Sequence, residues 1–486
     1  MLFIQLDGRG ALYQQLHRAL REAILERHLA PDQRLPSTRT LAAELKVSRN
    51  TVLQAVEHLM AEGYVAGRVG SGTYVASVLP RALPAEPLHA EDQPPPRLSD
   101  AAKRMTVQAT PGRATWAPGS DSLPFDFRYG EPAYADLPID TWSLLLGRRA
   151  RRLSAKRLSY QAPGGSPELR EALAAYLGRA RGVVCVPDQV IVTNGSQQAI
   201  DLTARLLVNP GDPVVLEEPH YTGFSYCLHA VGAQIHSVPV DDYGLRTPDL
   251  EAIPSARLVC VTPSHQYPQG STMSLQRRLA LLDWAVRRDA YILEDDYDGE
   301  FRFEGKPIES LQSLDRNGRV IYVGTASKML FPALRIGWVV APTPLVAYYR
   351  SAKALGDTGT PPIAQQALAD FISEGHLERH VRRARIHAGK RRSALLAALH
   401  KELPGRTRAL GANAGLHLLL QLPEVAAEDL SRLREACRQR GVGVYPATQY
   451  YERPPAYAEF LLGYASLDQE AIGQGVALLR EAIDSL

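Results

Sequence analysis

From about residue 115 onward, short apolar runs alternate with segments of helical periodicity, and this alternation restricts the chain to few folds. The apolar runs are VIVT, VVLEE, RLVCVTP, YILEDD and VIYVGT, and the helical segments include SPELREALAAYL and SLQRRLALLDWAVRR. Strands that alternate with helices indicate a mostly parallel α/β sheet. We therefore predict such a domain over residues 115–486, with a smaller C-terminal α+β subdomain from about residue 375.

The bulk composition restricts the class of protein. A chain of 486 residues is too long for one ordinary core, and 45% hydrophobic with 22% charged residues is typical of a soluble protein. The net charge is only +3, so any binding of nucleic acid must depend on a local surface. Four cysteines without CxxC spacing predict neither disulfides nor a metal site, and no apolar run is long enough to span a membrane. These features predict a cytoplasmic protein that has no membrane partner.

Residues 79–114 differ in composition from the segments before and after them. Much of this stretch is rich in proline and polar residues and lacks apolar periodicity. Such a composition is typical of a linker in partly polyproline conformation. We therefore predict a separate N-terminal domain over residues 1–78, followed by a linker over 79–114.

Within residues 1–78, the segment 35–75 predicts a helix-turn-helix followed by a wing. Ser37 or Thr38 can cap a short helix that ends near Leu45, and Ser48 can cap a second helix that Gly63 closes. The second helix of this arrangement enters the DNA major groove with its N-terminus first. The segment YVAGRVGSGTYV predicts a hairpin with a glycine-rich tip, which would form the wing.

Polar residues occupy the positions of this unit that would face double-stranded DNA. Arginine pairs with guanine edges, asparagine and glutamine pair with adenine edges, and serine or arginine side chains hold phosphates. The residues predicted to contact an operator are Ser37, Arg39, Ser48, Arg49, Asn50, Thr51, Gln54 and Arg68. A helical hairpin with merely solvated polar faces is the alternative, and charge hardly decides between them, because residues 1–78 carry nine Arg and Lys and seven Asp and Glu.

The same unit resembles the winged helix of GntR-type bacterial regulators. The resemblance rests on the LPS-R-LA block, the SR-TV block and the GxGTYV wing, and it extends from LYQQL to the wing. It implies that residues 1–78 bind DNA.

A lysine in the second domain has a position that suits covalent chemistry. Lys328 follows the apolar run VIYVGT within TASK, and Arg335 lies seven residues further on. Ligands of open α/β sheets bind at the carboxyl ends of the strands. A lysine held there can attack an aldehyde, and an arginine fork suits a phosphate. Taken alone, Lys328 would more often be a solvated surface charge. An aldehyde and a phosphate together describe pyridoxal 5'-phosphate.

Other residues at predicted strand ends suit the same cofactor. Asp295 can hold the ring nitrogen in its protonated form, and the Tyr297 hydroxyl can bond the phenolic oxygen. Ser196 and Gln197 open a helix after Gly195, and the N-terminus of a helix binds phosphate. Tyr221 can stack on the ring. Each residue taken singly also fits an ordinary core, turn or acidic-loop role.

In this order, the blocks resemble fold-type I pyridoxal phosphate enzymes, the class I/II aminotransferases, from about residue 120 to the end. The resemblance implies that Lys328 is the Schiff-base lysine and that Tyr160 reaches the cofactor phosphate of the partner subunit. It also implies that the cofactor is contacted by the residues named above, with Thr325 and Ser327 in addition: Asp295, Tyr297, Tyr221, Ser196, Gln197, Thr325, Ser327 and Arg335.

The fusion of both units resembles the MocR/GabR regulators, whose EDDYD and TPSHQ-P-G blocks occur at 294–298 and 262–270. This resemblance implies a head-to-tail homodimer that senses the cofactor, or a small amine or amino acid that reacts with it.

Two positions depart from the aminotransferase pattern. The Asn-Pro-Thr-Gly block is replaced, so the asparagine contact is expected to be either absent or taken over by Gln266 or His265. Leu461 stands where aminotransferases place the arginine that clamps the substrate carboxylate. We therefore predict a DNA-binding regulator that uses pyridoxal phosphate as its sensor. A working aminotransferase that also binds DNA is the alternative, and so is a repressor that has lost the cofactor.

Overall fold

The computed structural model describes residues 4–77, 97–107, 123–130, 132–154, 159–304 and 308–486. It divides into two compact units, Met1–Arg97 and Leu98–Leu486. Among the residues described, no helix is both long and apolar enough to cross a bilayer.

The first unit is the predicted winged helix-turn-helix. Its helices are Leu12–Leu25, Thr38–Leu45 and Arg49–Ala61, and its antiparallel hairpin pairs Val65–Arg68 with Gly72–Val75. The apolar face of the third helix is buried, since Val52, Val56 and Leu59 are all within the core of this unit. Each fully buried side chain of this kind contributes roughly 1.5–3 kcal/mol.

The predicted linker over 79–114 contains a helix that the sequence did not reveal. Helix Asp100–Val107 packs against helix Thr222–Val231, and Arg104 Nε donates a hydrogen bond to the Ala230 carbonyl at 3.2 Å. The second unit therefore begins before this helix rather than at residue 115. Tertiary packing, rather than apolar periodicity, stabilises so short a helix. The rest of the predicted linker, 79–96 and 108–114, lies outside the described residues.

The second unit is built on an eight-stranded sheet. The strands are, in spatial order, Val190–Thr193, Gly337–Val340, Val320–Thr325, Tyr291–Asp296, Leu258–Val261, Pro213–Glu218, Gln234–Asp241 and Gly244–Leu245. The five strands from 320–325 to 234–241 pair in parallel, whereas 337–340 and 244–245 run antiparallel to their neighbours. The prediction of a mostly parallel sheet is confirmed. Four of the predicted apolar runs are strands buried over nearly their whole length, as expected when both faces of a sheet are covered.

Helices accompany this sheet and a second, smaller one. The α-helices found among the described residues of the second unit are Asp100–Val107, Ile139–Arg151, Pro167–Arg181, Ser196–Leu207, Thr222–Val231, Leu275–Arg287, Val346–Asp357, Pro362–Ser373, His376–Glu402, Leu430–Gln439 and Gln469–Asp484. The smaller sheet is antiparallel, in the order Arg408–Leu410, His417–Ala426, Tyr457–Gly463 and Tyr445–Pro446. A short parallel pair joins Phe125–Asp126 to Val442–Gly443. The predicted C-terminal α+β subdomain is therefore confirmed.

Candidate functional site

The first unit presents the predicted recognition helix in capped form. Ser37 Oγ accepts a hydrogen bond from the Thr40 N–H, and Ser48 Oγ accepts one from the Thr51 N–H, each at 3.1 Å. Lys46 adopts the left-handed conformation between the two helices. Both caps satisfy N–H groups that the first turn of a helix leaves unpaired, so they fix where the recognition helix begins.

Most of the residues predicted to bind DNA are exposed on this unit. Thr51 is half-buried, while the others, Ser37, Arg39, Ser48, Arg49, Asn50, Gln54 and Arg68, are exposed. Arg68 is already held within the wing, because its guanidinium lies 2.7 Å from Asp32 Oδ1 and 4.4 Å from the centre of the Tyr74 ring. The contacts of these residues with DNA stay predictions.

In the second unit, a cavity of about 420 Å³ lies at the carboxyl ends of the parallel strands. Nine of the ten cofactor residues predicted from the sequence line it: Ser196, Gln197, Tyr221, Asp295, Tyr297, Thr325, Ser327, Lys328 and Arg335. Tyr160 is not among the lining residues and is 91% exposed. The parallel strands bring these residues together, because each lies at or after a strand end on the same edge.

One end of the cavity is formed by backbone turns and small polar groups. Gly195 precedes helix Ser196–Leu207 with φ of 81°, a conformation that favours glycine. Arg335 Nη2 donates a hydrogen bond to the Asn194 carbonyl at 2.9 Å, and a Cβ at position 195 would clash with the same guanidinium. Thr325 Oγ1 donates to Ser327 Oγ at 3.0 Å. A helix N-terminus, two hydroxyls and a guanidinium therefore line the same cavity, and all of these groups can bind an anion.

Asp295 lies buried at the cavity wall, and its environment disfavours its charge. Its Oδ1 has no hydrogen-bond partner among the described residues. Burial, together with the nearby carboxylates of Asp296 and Asp298, raises the pKa of Asp295 to about 8, although Lys328 opposes the shift. A carboxyl group whose pKa is raised in this way has no cationic hydrogen-bond donor to stabilise its charged form.

The Lys328 ammonium lies over an aromatic ring in the same cavity. Its Nζ is 4.3 Å from the centre of the Tyr129 ring. Tyr221 lies at the opening of helix Thr222–Val231 and donates a hydrogen bond from its hydroxyl to Gln197 Oε1 at 3.3 Å. The predicted lysine and the predicted stacking tyrosine thus share one chamber.

Neither Gln266 nor His265 is among the residues that line the cavity, and which group makes the asparagine contact stays a prediction. Gln266 is buried outside the cavity lining and donates from Nε2 to the carbonyls of Pro219 and Tyr267, at 2.7 Å each. His265 lies behind Tyr297, also outside the lining. Tyr267, the next residue along the chain, lines the cavity instead. Gln266 points away from the cavity because two carbonyl groups accept hydrogen bonds from its side-chain amide.

Sequence reasoning also missed Tyr129, Tyr226, Gln449 and Tyr450, which line the cavity. Tyr226 lies one helical turn after Thr222, which also lines the cavity, so helical spacing from Thr222 was a usable signal. Tyr129 and Tyr450 come from distant parts of the chain, and no local pattern points to them.

Behind the cavity, His265 connects Tyr297 to Asp298. Its Nδ1 lies 2.9 Å from the Tyr297 hydroxyl oxygen and 3.0 Å from Asp298 Oδ2, and all three side chains are buried. His417 is adjacent, and one ligand-type atom from each of His265, Asp298 and His417 lies within 4.8 Å of the others. Burial and the neighbouring His265 hold the pKa of His417 well below its usual value. The absence of a metal here stays a prediction.

We expect His265→Ala to destabilise the second unit. The change leaves the Tyr297 hydroxyl and Asp298 Oδ2 without this partner, and a buried polar group left unpaired costs about 1–3 kcal/mol. Urea unfolding measures the loss, with His400→Ala on the exposed side of helix His376–Glu402 as the matched control. Equal unfolding free energies for both variants would show that the contact contributes nothing.

Leu461 is an apolar support of the cavity wall. It lies on strand Tyr457–Gly463, is only 1% exposed, and belongs to a cluster with Tyr129, Tyr267 and Tyr450. An apolar side chain in this position binds no carboxylate.

Two family profiles match the chain. The profile of bacterial regulatory proteins of the gntR family matches residues 12–75, and that of aminotransferase class I and II matches residues 130–476. The second profile covers more than half of the chain, including the whole cavity-forming sheet.

The relatives and solved structures agree with both profiles. The chain is 39% identical to the probable rhizopine catabolism regulatory protein MocR of Rhizobium meliloti, over 100% of this chain and 96% of that protein. It is 34% identical to the HTH-type transcriptional regulator TauR of Rhodobacter capsulatus, over 99% and 98%. The crystal structure of LysN, an alpha-aminoadipate aminotransferase of Thermus thermophilus, matches with a TM-score of 0.71 and 28% identity, over 80% of this chain and 97% of that chain. This chain therefore belongs to the MocR-type transcriptional regulators, in which a GntR-type DNA-binding unit is joined to a unit of the aminotransferase class I and II family.

Proposed function

We propose that this regulator binds pyridoxal 5'-phosphate in the cavity of its second unit, with Lys328 as the covalent attachment point, and that the occupied cavity controls the affinity of the first unit for its operator. The observation that carries the proposal is the convergence of nine predicted residues on one cavity, among them the buried Asp295, whose Oδ1 lacks a hydrogen-bond partner among the described residues. Control of DNA affinity requires only that the ligand prefer one of two DNA-binding states.

The residues present fit this cofactor. The Oδ1 of Asp295 lacks a partner within the described part of the chain, and a protonated ring nitrogen would supply one. The N-terminus of helix Ser196–Leu207, the hydroxyls of Thr325 and Ser327, and Arg335 would hold the phosphate. The cofactor, when bound, supplies an aldehyde that reacts with amines and a ring that withdraws electrons.

The remaining lining residues have orienting roles in this proposal. Tyr297 presents its hydroxyl to the phenolic oxygen, held in place by His265, and Tyr221 covers the ring face with its hydroxyl anchored on Gln197. In a head-to-tail homodimer, Tyr160 would act in the cavity of the other protomer, and its 91% exposure supports that role. The effector is the cofactor itself, or a small amine or amino acid that reacts with it.

Transamination is the second candidate function, because the same lysine, aspartate and tyrosines serve it. It needs a cation for the substrate carboxylate. Among the described lining residues the only cations are Lys328 and Arg335, and Leu461 occupies the position of the usual arginine. The regulatory function therefore has the better support.

A DNA-binding assay on the intergenic region next to the gene tests the proposal. The operator affinity is measured with and without pyridoxal phosphate, and again with amines added. A change in affinity on addition of the cofactor supports the coupling. Identical affinities in all conditions, in a protein whose absorbance shows bound cofactor, would contradict it.

Arg49→Ala is expected to weaken specific operator binding by about 1–3 kcal/mol, the value of one bidentate base contact. Arg49 is exposed on the first turn of the capped recognition helix. Gel-shift titration measures the change, and Arg21→Ala, an exposed arginine on helix Leu12–Leu25, is the matched control. Unchanged operator affinity in the Arg49 variant would argue against docking of this helix in the major groove.

A further inference from the structure

Aromatic rings form a large part of the cavity wall. Six tyrosines line it: Tyr129, Tyr221, Tyr226, Tyr267, Tyr297 and Tyr450. Tyr267 is the centre of the group, with ring centroids 5.4 Å from Tyr129, 5.6 Å from Tyr221, 5.8 Å from Tyr297 and 5.0 Å from Tyr450. Three of these contacts are edge-to-face, which is the arrangement that aromatic quadrupoles favour. Such mutual packing makes the wall rigid.

The charged groups of the cavity are few, and both of its cations already have contacts. Among the described lining residues they are Asp295, Lys328 and Arg335. Arg335 is bonded to the Asn194 carbonyl at the phosphate end, and the Lys328 ammonium lies over the Tyr129 ring. The proposed function assigns both cations to the cofactor. A second anionic group, such as a ligand carboxylate, would then lie among tyrosines and in front of Leu461, with no further cation among the described lining residues to pair with.

An aromatic wall binds the ammonium group of an amino acid more favourably than its carboxylate. The face of a tyrosine ring attracts a cation and accommodates apolar groups. A carboxylate moved from water into such surroundings loses its hydration and finds hydroxyl groups but no cation to compensate for the loss. The Lys328 ammonium at 4.3 Å from the Tyr129 ring already shows an ammonium group on one of these ring faces.

We propose that the ligand of this cavity is a primary amine that carries no carboxylate. Its amino group faces Lys328 and the cofactor, and the rest of the molecule, apolar or cationic, lies among the six tyrosines. This inference rests on the proposed function and adds the chemical class of the effector to it.

Matched pairs of ligands test the proposal on the full-length protein loaded with pyridoxal phosphate. The pairs are phenethylamine with phenylalanine, tyramine with tyrosine, 1,4-diaminobutane with ornithine, and ethanolamine with serine. Titration calorimetry measures each affinity. In at least one pair the amine should bind ~10-fold or more tightly than its amino acid, which corresponds to one lost charge-assisted hydrogen bond. Equal or tighter binding of the amino acid in every pair overturns the proposal, and so does failure of all four amines to bind.

Two variants test whether the tyrosines of the cavity wall are responsible for the preference for amines. Tyr226→Leu removes a half-buried ring from helix Thr222–Val231 and should weaken binding of the preferred amine by roughly 3- to 30-fold. Tyr243→Leu, at a tyrosine that is 65% exposed and outside the cavity lining, is the matched control and should bind like the wild type. Equal weakening in both variants, or none in the first, overturns the role of the wall.

Leu461→Arg supplies the missing cation. It should raise the affinity for the amino acid of the preferred pair by ~10-fold and lower that for the amine. An unfolding transition recorded beside each titration shows whether the variant folds. If it does not fold, the ligand pairs and Tyr226→Leu still test whether the cavity prefers amines.

Absorbance of the same samples distinguishes failure of this inference from failure of the proposed function. A cofactor band without amine preference overturns this inference alone, whereas the absence of the band overturns the proposed function.

Discussion

Lys328→Ala is expected to abolish covalent attachment of pyridoxal phosphate. In the wild type, borohydride reduction should fix the cofactor to the chain, and peptide mass spectrometry should place it on Lys328. The expectation follows from geometry, because Lys328 lies just after strand Val320–Thr325 and shares its cavity with the phosphate-binding turn and Asp295. An amine in that position is the one that reaches the aldehyde. The labelled fraction should fall from nearly complete to none.

The matched control is Lys401→Ala. Lys401 is a lysine of helix His376–Glu402 whose side chain is 81% exposed, beside Glu402. This variant should keep full labelling at Lys328. A reduced adduct on another lysine of the Lys328→Ala protein would remove Lys328 from its assigned role.

Asp295→Asn is expected to have opposite effects on cofactor binding and on the stability of the cofactor-free protein. Loss of the carboxylate removes a charge-assisted hydrogen bond to the ring nitrogen, worth about 1.5–3 kcal/mol, so the cofactor should bind ~10- to 150-fold more weakly. Without cofactor, the same carboxylate is buried near Asp296 and Asp298 and lacks a partner on Oδ1 among the described residues. Its replacement by a neutral amide should therefore stabilise the empty protein at alkaline pH.

The sign of the pH effect follows from the raised pKa. Burial, together with the nearby carboxylates, brings the pKa of Asp295 to about 8 in the folded chain, from an ordinary value of 3.8. Between these values the folded state holds a proton that the unfolded state has lost, so the free energy of unfolding falls as the pH rises. The variant lacks this dependence. Its advantage over the wild type should grow between about pH 5 and pH 8, to the order of 1–3 kcal/mol.

Thermal unfolding of the cofactor-free protein at several pH values measures the change in stability, and absorbance titration measures the change in cofactor affinity. Asp242→Asn, at an exposed aspartate in the loop before Gly244–Leu245, is the control and should change neither. A variant with wild-type cofactor affinity would show that Asp295 does not hold the ring nitrogen.

Much of the fold could be predicted because local rules decide it. The winged unit follows from two serine caps and the buried face of the third helix, and both caps are observed. The strands at 190–193, 291–296 and 320–325 follow from apolar runs whose ends carry the polar residues. Helix Asp100–Val107 could not be predicted in the same way, since its support is packing on a helix more than a hundred residues away.

Sequence alone determined which residues stand at strand ends: Lys328 after one strand, Asp295 near the end of another, and Ser196 after Gly195. A parallel sheet then brings such ends to one edge, whatever the loops do. Only the tertiary structure decided how the cavity wall is composed. Tyr129 and Tyr450, from opposite ends of the second unit, both meet Tyr267, and Gln266 turns toward two carbonyls and leaves the wall to its neighbour. The physical reason is that strand-end positions are set by local periodicity, whereas the direction of a loop side chain is set by which distant groups satisfy it.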